Sequence, residues 1–144
     1  MKDVIISVKG LLGANDEGED IELVTGGKYS YSGEEANFEY MESELTGMEG
    51  TKTSFSVTPD AVTITRNGTV NMQMLFEEGR KNYFIYDTPY GSMKMGLDTQ
   101  SVFSRLGENG GHLEVKYVID LENSTALRTA FNIDIREQNN SLPV

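Results

Sequence analysis

Cysteine is absent from the 144 residues, so a disulfide framework, a thiolate metal site and a cysteine nucleophile are all excluded. Histidine occurs once, as His112 beside Gly110-Gly111. A lone imidazole with no sequence-local nucleophile or orienting acid is a poor general base, and a solvent-facing histidine at a strand start is the plainer expectation. No apolar run approaches the length of a membrane span. The opening MKDVIISVKGLLGANDEGED is interrupted by Lys9 and lacks a signal-peptide core and a small-residue cleavage site. The cytoplasm is therefore the expected compartment, and no membrane partner is expected. Positive charge is scarce as well: 12 Lys and Arg stand against 23 Asp and Glu, for a net charge of −11. The basic residues are scattered, so nucleic acid is not expected as a partner, and the acidity reads as a device for solubility.

Helical periodicity is almost missing, while turn signals recur about every eight to twelve residues, the spacing of a barrel or sandwich. No repeat, linker or low-complexity tract marks a boundary, so residues 1–144 read as one domain, long enough to bury roughly two-thirds of its unfolded surface. Val4, Ile6 and Val8 alternate before the acidic GANDEGED turn. IELVTGGKYSYS and ANFEYMESE follow, with Gly26-Gly27 expected to mark a bulge or sharp bend. TKTSFSV places Thr53, Phe55 and Val57 on one face. After the EEGR turn and KNYFIYD, Thr88-Pro89-Tyr90-Gly91 suits a type I turn. TQSVFSRL fits either a helix face or a strand and is assigned here to a strand. Near the end, Leu113, Val115, Tyr117, Ile119 and Leu121 share one face, as do Leu127, Phe131, Ile133 and Ile135 across an ENSTA turn.

VTITRNGTVNMQMLF, from Val62 to Phe76, is the sharpest local signal. A two-residue type I′ turn at Asn67-Gly68 would set Ile64 opposite Asn71 and mix both faces. A three-residue loop with Gly68 left-handed in a bulge sets Ile64 opposite Val70 and Val62 opposite Met72. One clean buried face decides for the bulged loop, because a one-residue slip would exchange the two faces. About ten antiparallel strands of this kind leave an edge problem that closing the sheet solves. The expected fold is all-β: a single closed antiparallel lipocalin-like barrel, wide enough to be filled by side chains or to hold one small ligand.

The stretches TKTSFSVTPDAVTITRNGTVNMQMLFEEG, YDTPYGSMKMGLDTQSV, GGHLEVKYVIDL and FNIDIRE resemble the YwiB-like bacterial proteins, a family of unknown function with a calycin-like β-barrel. The resemblance is most specific at Arg66-Asn67-Gly68, Phe76-Glu77-Glu78-Gly79 and Thr88-Pro89-Tyr90-Gly91. It implies the barrel fold. Calycin-like barrels often bind small hydrophobic or amphipathic molecules, but a fold by itself does not transmit a function.

No catalytic motif emerges. Asp16, Glu17, Glu19 and Asp20 lack the ligand spacing of a calcium loop and read as a solvated hairpin tip, so no metal site or cofactor is expected. GGKYS and GENGGH lack a phosphate-loop arrangement, and the Asn-x-Ser/Thr sites at Asn67, Asn123 and Asn139 matter only in a secreted protein. The polar residues in phase with apolar neighbours are more informative. Phe38, Tyr40, Glu42 and Glu44 share a face. If Phe38 and Tyr40 point inward, Glu42 does too and needs a partner, with Arg66 and Arg105 the candidates; alternatively the strand bulges and turns its acidic half to solvent. Tyr83, Tyr86, Tyr90 and Tyr117 could line an apolar mouth or fill the core. Met72 and Met74 read as ordinary packing. The expected ligand-binding set is Tyr40, Glu42, Arg66, Tyr86, Tyr90, Arg105 and Tyr117, serving a small, partly apolar ligand. The competing reading is an interaction module with a filled barrel, monomeric or homodimeric, whose outward Leu75 and Phe84 form a patch. An enzyme built on a buried Glu-Arg or Tyr constellation has the least support.

Overall fold

Alternation of apolar and polar residues, clear in most strands and lapsing over Lys81–Thr88, accompanies ten strands in one antiparallel sheet in the computed structural model, which describes residues 1–10, 22–121 and 126–138. In chain order they are β1 Lys2–Lys9, β2 Glu22–Ser32, β3 Glu35–Met41, β4 Lys52–Val57, β5 Val62–Asn67, β6 Met72–Phe76, β7 Lys81–Thr88, β8 Gly91–Gly107, β9 Gly110–Leu121 and β10 Ala126–Glu137. Each strand except β6 pairs with the next, and β1 pairs with β10, so the sheet curls into a barrel with a single seam between β6 and β7. The seam is nearly closed. Asn71 and Asp87 exchange backbone bonds of 2.9 and 3.0 Å, and Asn82 Nδ2 donates to the Leu75 carbonyl at 3.2 Å. Among the described residues the one helical element is a 3-10 turn over Glu44–Thr46, and no helix is long and apolar enough to cross a membrane.

The inward face follows from the registers. Phe38 pairs with Phe55, Phe55 with Ile64 and Ile64 with Met74, while Val57 pairs with Val62 and Val62 with Phe76. All are buried, as are Val4, Ile6 and Val8 of β1 and Leu113, Val115, Phe131, Ile133 and Ile135 of β9 and β10. Each such side chain contributes roughly 1.5–3 kcal/mol on leaving water. Rings fill the middle of the lumen. Phe38 and Phe55 stack at 4.6 Å, and Phe76 meets Tyr117 and Phe131 edge-on at 5.1 and 5.5 Å.

Several expectations are corrected. The β5–β6 connection is longer than a three-residue loop: Arg66 pairs with Met72, and residues 67–71 form the connection. Ile64 therefore faces Met74 and Val62 faces Phe76, a slide by an even number of residues that keeps Val62, Ile64, Val70 and Met72 buried. The side chain of Asn71 explains the slide. It accepts from Gly68 N at 3.1 Å and donates to Gly68 O at 2.8 Å, forming a loop of its own. Gly68 does have positive φ, at 150°, and a Cβ there would lie 2.2 Å from the Gly50 carbonyl oxygen.

Gly26-Gly27 makes no bulge, since the β1–β2 ladder runs through both residues without a shift. Gly27 is instead a close approach, where a Cβ would meet Ile6 Cδ1 at 2.4 Å and Glu39 O at 2.5 Å. The bulge lies in β8, between Thr99 and Ser101, where the β6–β7 turn docks through Gly79 N to Thr99 O and Thr99 N to Arg80 O. Phe84, expected outward, is buried, because the aromatic run of β7 turns Tyr83 and Ile85 to solvent instead. Leu127 has the phase of the core residues of β10 but is 53% exposed, since its pairing with the half-buried Ile119 lies toward the end of the barrel. The GANDEGED and ENSTA turns lie outside the described residues, apart from Ala126 at the start of β10.

Candidate functional site

The barrel has two ends of different construction. At one end the β3–β4 and β5–β6 connections fold over the lumen. Glu42 N donates to Thr51 O at 2.8 Å, Val70 N to Thr51 Oγ1 at 3.1 Å and Thr69 Oγ1 to Glu49 O at 2.9 Å. Met48 and Val70 are buried beneath this cover. At the other end the short β2–β3, β4–β5, β6–β7 and β8–β9 turns surround an open mouth.

Under the cover, alternation in β3 carries Tyr40 and then Glu42 inward, facing Thr53 of β4 and Arg66 of β5. Thr53 Oγ1 donates to Glu42 Oε2 and accepts from Arg66 Nε at 3.4 Å, while Arg66 Nε lies 3.7 Å from Glu42 Oε2. The acidic half of this segment therefore does not turn outward at Glu42; only Glu44 reaches solvent. Two opposite charges, both almost fully buried, are bridged by one hydroxyl. Burial, reinforced by the Glu42 carboxylate and opposed by Arg66, raises the Tyr40 hydroxyl above the ordinary tyrosine range. Burial likewise pushes Tyr117 up to about 12, against the pull of Arg66 and a bond to Thr129. Glu42 Oε1, Arg66 Nη2 and Thr99 Oγ1 have no hydrogen-bond partner among the described residues. Leaving such a network half-satisfied is costly, because each unpaired group keeps its desolvation penalty and the loss of either partner strands a charge.

The mouth is an open cavity of about 770 Å³. Its apolar lining comes from Ala36, Val57, Val102 and Leu106, with Tyr31 beside them. Glu34, Asp60, Glu78 and Arg105 supply its charged groups. The buried ring of Tyr29 spans from β2 to the Gly107 carbonyl, which its hydroxyl meets at 2.6 Å, and burial pushes that hydroxyl up to about 12. Glu78 Oε1 accepts from Val102 N at 2.9 Å and fixes the start of the β8 wall. Along β3 and β4 the Phe38–Phe55 layer lies between Ala36 and Val57 of the mouth and the Tyr40, Thr53 and Glu42 layer.

Of the residues singled out from sequence, Tyr40, Glu42, Arg66 and Tyr117 lie together inside the barrel. Arg105 does not join them: it sits at the mouth, its guanidinium 5.4 Å from the Phe103 ring, so the pairing of Glu42 falls to Arg66. Tyr86 is half-buried in β7, and Tyr90, at the tip of the β7–β8 turn, is 99% exposed and is not among the residues lining the mouth. His112 is half-buried rather than free, its Nδ1 2.8 Å from Asp134 Oδ1. Tyr31, Glu34, Asp60, Glu78 and Leu106 were missed, because they sit in or beside turns far apart in sequence. The one signal available was that each of those turns carries an acidic residue.

A solved structure of similar shape is described as the crystal structure of the ywiB protein from Bacillus subtilis; it aligns with a TM-score of 0.76 over 96% of this chain and 93% of that one, at 21% identity. A curated relative, the uncharacterized beta-barrel protein YwiB of Bacillus subtilis (strain 168), is 26% identical over 114 residues, covering 79% of each protein. A family model described as a domain of unknown function (DUF1934) matches residues 6–133. With that match spanning most of the barrel, the chain belongs to the DUF1934 family.

Proposed function

We propose that this protein is a cytosolic binding barrel that takes a small, partly apolar molecule at its mouth, in the manner of calycin-like barrels. The observation that carries the reading is the cavity of about 770 Å³, with an apolar lining and a few charged groups converging on it. Ligand sites tend to have that size and that mixture. The aromatic layer beneath is filled, so the ligand rests on the mouth side of it. Arg105, Tyr31 and Leu106 contact it, while Tyr40, Glu42, Arg66 and Tyr117 lie beyond the aromatic layer in the far half of the barrel. Titration with decanol, followed by amide chemical shifts, tests the site. Saturable shifts clustered at Val57, Val102 and Leu106 are the expected result; shifts absent or scattered over the outer surface would overturn it.

One observation favours a second reading, an interaction module. Tyr83, Ile85, Tyr90 and Met93 are all exposed on the β7–β8 hairpin. If they form a contact surface between copies, sedimentation is concentration-dependent, and Tyr83→Ser with Ile85→Ser abolishes that dependence.

A further inference from the structure

We infer that the mouth selects amphiphiles with a positively charged head, such as alkylammonium compounds, over those headed by a carboxylate or sulfate; the inference rests on the mouth being the binding site. The four turns that surround the mouth come from distant parts of the chain, and each brings a carboxylate to the same end. Glu34 stands in the β2–β3 turn, Asp60 in β4–β5, Glu78 in β6–β7 and Glu108 in β8–β9. The first three line the cavity. None of the four is held in an ion pair by a Lys, Arg or His among the described residues. Glu78 spends one carboxylate oxygen on the Val102 amide, which anchors the group but leaves its charge at the rim.

Among the described residues Arg105 is the one basic residue lining the cavity, and its guanidinium is placed over the Phe103 ring. Three carboxylates against one guanidinium make the mouth negative, in a chain whose net charge is already −11. Apolar walls beside such a rim concentrate its field on whatever enters. An apolar chain fits the lining whatever its head. A carboxylate head would meet like charge at the rim, and an ammonium head would meet opposite charge there. The lining thus supplies affinity and the turns supply discrimination.

The test uses the full chain at low ionic strength with three probes of equal chain length: decyltrimethylammonium, decanoate and decanol. Each is kept below its micelle concentration, with circular dichroism confirming that the protein stays folded. Amide shifts are expected to report decyltrimethylammonium binding roughly tenfold tighter than decanoate, as a few exposed charge pairs allow. Raising salt past about 0.15 M should shrink the gap, because the rim charges are solvated. Glu34→Gln with Asp60→Asn should narrow it several-fold. Decanoate binding as tightly as the cation, or a gap that ignores the double substitution, overturns the charge selectivity; if decanol still binds, the mouth survives as the site. Binding by none of the three probes overturns the mouth itself and this inference with it.

Discussion

The two ends of the barrel are built from the same alternating strands and do opposite things with their charges. At the covered end one carboxylate and one guanidinium are sunk almost completely, joined through Thr53, and sealed under Met48 and Val70. At the mouth, charged side chains stay in water around an apolar lining. The difference shows where each kind of polar residue acts. Charges in low dielectric govern stability, because losing one partner strands the other; charges at a solvated rim barely affect stability but bias what approaches.

Breaking the covered end should have the largest effect. Arg66→Ala leaves Glu42 buried without its cation and is expected to cost about 3–5 kcal/mol in urea unfolding, whereas Glu42→Leu with Arg66→Met should restore most of that loss. Recovery failing in the double variant would mean the pair does more than neutralise itself. Gly68→Ala comes next, at about 2–3 kcal/mol, since the new Cβ meets the Gly50 carbonyl at a φ of 150° that side chains avoid.

Alkaline titration sharpens the comparison further. Tyr117 has its folded pKa raised from 10.0 to about 12, so its contribution is fully present below pH 10 and is lost as pH rises toward 12. The Tyr117 share of the loss at pH 12 should be about 2 kcal/mol, and Tyr117→Phe should make that limb of the stability curve shallower by about that share, leaving the shares of Tyr29 and Tyr40. A wild-type curve that stays level over that range would show the ring to be less enclosed than its packing indicates. The smallest stability effect belongs to the mouth and the outer tip. Glu34→Gln, Asp60→Asn and Tyr90→Ser should each stay within about 0.5 kcal/mol of wild type by the same unfolding assay.

Local pattern made a large part of this architecture legible. Thr53, Phe55 and Val57, or Val62 and Ile64, lie two apart on a pleated strand, and burying one face leaves no freedom about which side they take. The same reasoning placed Glu42 beside the lumen and left Arg66 and Arg105 as its candidate partners, because a carboxylate in phase with Phe38 and Tyr40 must go in with them and must be neutralised; the fold chose Arg66. Where alternation lapses, the reading failed. Tyr83-Phe84-Ile85-Tyr86 is apolar throughout, so its phase was open, and packing turned Phe84 inward. The β5–β6 connection was misjudged in length for a related reason. An even slide leaves the faces unchanged, so the hydrophobic pattern is blind to it, and the hydrogen bonds of the Asn71 side chain decided it.

Strand number, antiparallel order and most of the inward set were thus written into the sequence, because each depends on neighbours two residues apart or one turn away. Tertiary structure alone decided that Arg105 stands at the opposite end of the barrel from Glu42, that the seam lies between β6 and β7, and that Glu34, Asp60 and Glu78 ring one cavity. Those facts depend on how far a curling sheet turns before its edges meet, which is a sum over every strand and is carried by no single stretch of the chain.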